Sequence, residues 1–136
     1  MALNEGRVYF ALDGDNFTPD EVTRVLGISP TKIALKGSRV SGRLPKYTTW
    51  SLSTENIENE YIDVYEMASS IIEQLEPKKE EIVKLIKKLN LRPRLEVVLT
   101  FSMNEEHSTP AIGFEASTVK FLADVGAFID VDTYKN

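Results

Sequence analysis

Val8, Phe10 and Leu12 alternate with Arg7, Tyr9, Ala11 and Asp13, and a period of two predicts a half-buried strand near the start of the chain. Thr18-Pro19-Asp20-Glu21 then offers a hydroxyl for the N-cap, proline for the first helical position and glutamate for the third, the pattern of a capping box. Phe17 and Val22 are spaced as a hydrophobic staple across it. Gly27 supplies a left-handed stop, so the pattern predicts a helix over 18–26. Residues 28–46 hold Pro30, Gly37, Gly42 and Pro45 without a sustained period, which predicts a long loop, and loops of that length tend to be functional or mobile.

Thr48, Trp50 and Leu52 alternate with Tyr47, Thr49 and Ser51 and predict a second strand. From Tyr61 the spacing changes: Tyr61, Val64, Tyr65, Ala68, Ile71, Ile72 and Leu75 form the stripe of an amphipathic helix. Pro77 interrupts it and can open a further helix, whose face is Ile82, Leu85, Ile86 and Leu89. Leu95 to Met103 predicts a third strand, Asn104 to Thr109 a polar turn, and Ile112, Phe114 and Ala116 a fourth strand. Ser117 is placed to cap a short helix closed by Gly126, and residues 127–132 complete a fifth strand. The order β-α-β-α-α-β-β-α-β predicts a single α+β domain over 1–136, a mainly antiparallel five-stranded sheet with helices on one face, loosely ferredoxin-like. Strand, hydroxyl cap, short helix and glycine stop recur at 8–27 and 112–126, which suggests two related halves. The strand face turned from the helices would carry Tyr9, Ala11, Thr49, Ser51, Val98, Thr100 and Gly113, and if nothing covers it, it is a partner or dimer surface.

Size and composition narrow the chemistry. A chain of 136 residues buries about two-thirds of its unfolded surface and needs no staple, and with 0 Cys it has no disulfide or thiolate chemistry. One histidine and no cysteine exclude the usual zinc sites within one chain. No apolar run approaches a membrane span, and Met1 to Gly6 shows no secretory pattern, so a cytoplasmic location is expected. The net charge of −5 argues against sequence-specific nucleic-acid binding.

His107 stands among Glu105, Glu106 and Ser108 and could serve a serine as general base, but no Gly-x-Ser-x-Gly elbow exists, and an exposed turn histidine is the reading preferred. Asp13-Gly14-Asp15-Asn16 opens like a calcium loop, but Phe17, Thr18 and Arg24 occupy positions where that loop needs ligands and glycine. Asp130 and Asp132 share one face of a strand and could hold magnesium or act as an acid–base couple. Glu96 and Glu115 would join them only if their strands are neighbours; a solvated polar face is the simpler reading. Residues 30–46 contain Lys32, Lys36, Arg39, Arg43 and Lys46 and no acid. Gly37 to Gly42 has phosphate-loop glycine spacing, yet Arg43-Leu44 replaces the required Lys-Ser/Thr, so this is no such loop. Trp50 reads as core, with stacking on a base or sugar as the minor alternative.

The runs Tyr9 to Leu12 and Phe17 to Thr31, with Trp50-Ser51-Leu52 and Leu122 to Tyr134, resemble a bacterial domain-of-unknown-function family (catalogue number 4279). That resemblance spans nearly the whole chain and implies small, stand-alone, bacterial cytosolic proteins; it brings no assigned site residues. With no recognisable nucleophile–base set, no catalytic residue, metal ligand or cofactor is assigned. Enzymatic activity is not favoured. The function expected is a non-enzymatic binding or interaction module, antitoxin-like or regulatory, acting on a protein partner, with homodimerisation left open. The alternative is a small-molecule, phosphate or nucleotide-binding protein that grips a compact anion through the basic loop. The candidate contact residues are Lys36, Arg39, Arg43, Lys46 and Trp50.

Overall fold

A computed structural model describes residues 2–38 and 44–136. The predicted first strand is β1 (Asn4–Gly14), the centre of a mixed sheet of six strands. Helix α1 (Pro19–Leu26) is followed by β2 (Lys32–Ala34), β3 (Thr48–Ser53) and β4 (Ile57–Asn59). Then come α2 (Val64–Leu75), a 3-10 turn at Glu76–Lys78 containing Pro77, α3 (Lys79–Leu89), β5 (Arg92–Phe101), α4 (Ala116–Val125) and β6 (Phe128–Lys135). The strands lie in the order β2-β3-β1-β5-β6, with β4 also paired to β1. All pairings are antiparallel except β5–β6, which is parallel.

This corrects the expected architecture in three ways. The sheet has six strands, because β2 and β4, of three residues each, are too short to show a period. The predicted strand over 112–116 is absent; the chain there makes one isolated bridge, Asp63 to Ala111, between Pro110 and Gly113. The proposed repeat therefore has no strand opening its second half. Finally, β1 and β5 are adjacent and antiparallel while β5-α4-β6 is a direct parallel crossover, so the split β-α-β pairing of a ferredoxin-like sheet is not formed.

Packing follows the alternation. Val8, Phe10, Leu12, Trp50, Leu52, Leu95, Val97 and Leu99 turn to the helices and join Val22, Leu26, Ile71, Leu75, Ile82, Leu85 and Phe121 in one buried cluster. Phe10 and Phe121 meet edge to face with centroids 6.1 Å apart. The helix ends only partly follow expectation. Gly27 (φ 66°) and Gly126 (φ 75°) close α1 and α4 in the left-handed region. Thr18 occupies the N-cap of α1 but its hydroxyl makes no cap bond. Glu21 donates its N–H to the Thr18 carbonyl at 3.0 Å, and its carboxylate is drawn instead to Lys88 at 2.7 Å. Ser117 lies inside α4, whose N-cap is Glu115. Asp63 caps α2 by accepting the Glu66 N–H.

Candidate functional site

The alternation that buries one face of the sheet lifts a second set of residues onto the other. Tyr9, Ala11 and Asp13 of β1 stand beside Thr49 and Ser51 of β3 and Arg92, Arg94 and Glu96 of β5. Among the described residues no helix lies over this face. Register then assembles a polar network. Arg94 Nε donates to Asp13 Oδ2 at 2.8 Å, and its Nη1 donates to Glu96 Oε1 at 2.6 Å and to the Tyr9 hydroxyl at 3.2 Å. Asp13 also accepts the Thr49 hydroxyl at 2.6 Å. The Tyr9 ring sits between Arg7 and Arg94, 5.1 and 5.4 Å from their guanidinium carbons. Burial by itself would ease the proton off Arg94, but the bonds to Asp13 and Tyr9 outweigh it and raise its pKa above the usual value.

The parallel pairing of β5 with β6 sets Glu96 opposite Asp130 and Val98 opposite Asp132, so Glu96 does join the two aspartates. Carboxylate oxygens of all three lie within 4.8 Å of one another. Glu115, at the N-cap of α4, does not join them. Glu96 is 3% exposed. Burial, then the two aspartates, push its carboxyl up to about 8 against the opposing pull of Arg94, and at neutral pH it is held mostly protonated.

Two hollows open on this face. The larger, about 500 Å³, runs from Lys46 and Tyr47 across Thr49, Arg92 and Arg94 to Phe128 and Asp130. Its lining sets three cations (Lys46, Arg92, Arg94) against three acids (Asp13, Glu96, Asp130). Arg92 stacks 4.5 Å from the centroid of the Tyr47 ring, and Phe128 stands exposed at the far rim. The smaller hollow, about 230 Å³, is lined by Arg7, Lys32 and Arg94 with Tyr9, Ala34, Thr49 and Ser51, and no acid.

The structure separates the residues picked out from sequence. Lys46 lines the larger hollow. Lys36 is exposed and lies 4.0 Å from Asp15, outside both hollows. Arg39 and Arg43 lie outside the described residues. Trp50 is wholly buried on the helix side, its Nε1–H donating to Thr23 Oγ1 at 3.1 Å, so it offers no ring for stacking. The opposite-face set holds for its strand residues but not for Gly113, which lies off the sheet against the Tyr65 ring. Asp13 proves to be the anchor of Arg94. Arg92 and Arg94 were not singled out, although with Glu96 their i, i+2, i+4 spacing in an apolar strand was a visible signal that one face of β5 is charged.

His107 is not the exposed turn residue expected. Its side chain is 9% exposed, with Nδ1 2.8 Å from Ser102 Oγ and Nε2 3.8 Å from a Glu60 oxygen. The Ser102 hydroxyl already donates to the Ala2 carbonyl at 2.9 Å, and no hollow described here reaches it. The arrangement clamps the turn after β5 to the N-terminal strand, as does Asn4, which bonds Glu60, Ser102 and Ser108.

No helix among the described residues is long and apolar enough to cross a membrane. No curated protein and no solved structure matches the chain. A family model matches residues 4–136, and on that match the chain belongs to the family described as domain of unknown function DUF4279.

Proposed function

We propose that the protein is a non-enzymatic interaction module whose protein partner lies across the helix-free face of the sheet. The observation that carries this reading is the larger hollow, a mixed-charge depression bounded by exposed Tyr47 and Phe128 and floored by the Arg94 network. Tyrosine and arginine are the residues on which interface energy concentrates, and apolar anchors around a polar floor suit another protein's surface. Side chains of both signs line it, and Arg94 is already committed to Asp13 and Glu96, so it suits a surface carrying both signs better than a compact anion. The edge continues the surface: β6 pairs on one side only, and Phe128, Val131 and Tyr134 are exposed along it. The smaller hollow supports a second reading, because Arg7 and Lys32 face it without an acid and it has the size for one phosphate group.

Site-specific photocrosslinking in the source cells tests both readings. A benzophenone side chain at Tyr47 or Phe128 should yield a discrete protein adduct that the same group at Lys84, on the helix side, does not. Adducts absent from both face positions, or equal at Lys84, would overturn the partner reading. Stabilisation by inorganic phosphate, lost in Arg7→Ala/Lys32→Ala, would move the assignment to the second.

A further inference from the structure

We infer that Glu96, Asp130 and Asp132 form a divalent-cation site at the β5–β6 edge, with a preference for calcium. Glu96 Oε1 is taken by Arg94. Oε2 is buried and has no hydrogen-bond donor facing it among the described residues. Glu96 as a residue is 3% exposed, so bulk water does not satisfy it either. A buried carboxylate oxygen without a partner is costly, and such orphans in folded proteins call for an unseen water or ion. The neighbouring groups make the need specific: Asp130 and Asp132 present acceptors, as Glu96 does, and oxygens of all three come within 4.8 Å of one another. Only a proton or a cation can sit among three acceptors and attract them all.

The chemistry of the donors selects the ion. Three carboxylates without nitrogen or sulfur suit hard, oxygen-seeking cations. Calcium accepts oxygen ligands in varied number and geometry, whereas magnesium demands a near-ideal octahedron and keeps several of its waters. Three carboxylates whose places are set by strand register, with oxygens within 4.8 Å of one another, suit the more tolerant ion. Asp130 is exposed and Asp132 half-buried, which gives the ion a route in and leaves its remaining positions to water. Among the described residues the one cation bonded to the cluster is Arg94, which is shared with Asp13 and leaves the aspartates uncompensated.

The test uses the full chain stripped with chelator, then titrated with calcium or magnesium while its melting temperature is followed. Terbium emission sensitised by nearby tyrosines serves as a direct binding signal. Calcium should raise the melting temperature, displace terbium, and act more strongly than magnesium. Asp130→Asn and Asp132→Asn, at accessible positions where the fold survives, should each weaken binding at least tenfold, while Asp124→Asn on the helix side keeps the wild-type response. No calcium response in the wild type would show that the three acids share a proton, and would overturn the inference. An undiminished response in both asparagine variants would overturn it equally, and a magnesium response as strong as that of calcium would overturn the preference for calcium.

Discussion

Arg94→Ala is the most informative single change on the helix-free face. The Arg94 side chain is 21% exposed and that of Asp13 12%, so this is not a surface ion pair, whose removal typically costs about 1 kcal/mol or less. Its loss leaves the Asp13 carboxylate with the Thr49 hydroxyl as its remaining side-chain partner, and the Tyr9 hydroxyl loses its own. Glu96, held mostly protonated, loses an acceptor bond but little ionic attraction, so the charge stranded is chiefly that of Asp13. Breaking a buried pair by removing one member costs about 3–5 kcal/mol. The bond Asp13 keeps and its residual exposure place the expectation at the low end, about 3 kcal/mol. Urea unfolding can be followed through Trp50, the one tryptophan in the chain. With a urea dependence of about 1–3 kcal/mol per molar, the midpoint should fall by about 1–3 M. Arg94→Ala/Asp13→Asn should then be more stable than the sum of the two single changes predicts, by about 1 kcal/mol or more, because the stranded charge is gone. A loss below 1 kcal/mol in Arg94→Ala, or strict additivity in the double variant, would refute the picture of Arg94 as the buried keystone of this face.

Two further outcomes are expected. Thr18→Ala should change stability by less than about 0.5 kcal/mol, since its hydroxyl makes no cap bond, whereas Asp63→Ala removes a side-chain cap from α2 and should cost about 0.5–2 kcal/mol; urea midpoints of the pair decide it. Lys79 and then Lys120 hold the Asp124 carboxyl below its ordinary 3.8, so its contribution is present above that value and is lost as pH falls through the lower folded one; in acid titration of stability, Asp124→Asn should therefore be less stable than the wild type at neutral pH and converge with it in strong acid, having lost that part of the pH dependence.

Periodicity reveals what contacts water and what does not, and it reads best where an element is long. Val8, Phe10 and Leu12, the stripe members Val64, Ala68, Ile71, Ile72 and Leu75, and the stops at Gly27 and Gly126 do in the structure what their spacing implies, whereas Tyr61 lies before α2 and Tyr65 on it is exposed. Three-residue strands carry no such signal. The alternation at Ile112, Phe114 and Ala116 misleads because the backbone there finds no neighbouring edge, and Gly113 is packed under Tyr65. Side-chain caps are the least legible feature, since a glutamate suited to a capping box is equally suited to a lysine on another helix, and Glu21 takes Lys88.

The acidic cluster depends on a distance in sequence that no local pattern spans. Glu96 and Asp130 meet only because α4 returns the chain for a parallel strand beside β5, in a register that sets Leu95 against Ile129 and Val97 against Val131. A slip of one residue would turn both aspartates toward the helices and these apolar residues outward. Ile129 and Val131 each stay 38% exposed at this edge, so the register rests on the backbone ladder to β5 together with their partial cover, and the carboxyl groups are carried along on the other side. As ionised groups they repel one another, which is why Glu96 holds its proton near neutral pH, and the arginine beside them bonds Glu96 alone of the three. Acids brought together by forces that act on other residues retain an unmet demand for positive charge, and on this face that demand is concentrated at one buried oxygen of Glu96.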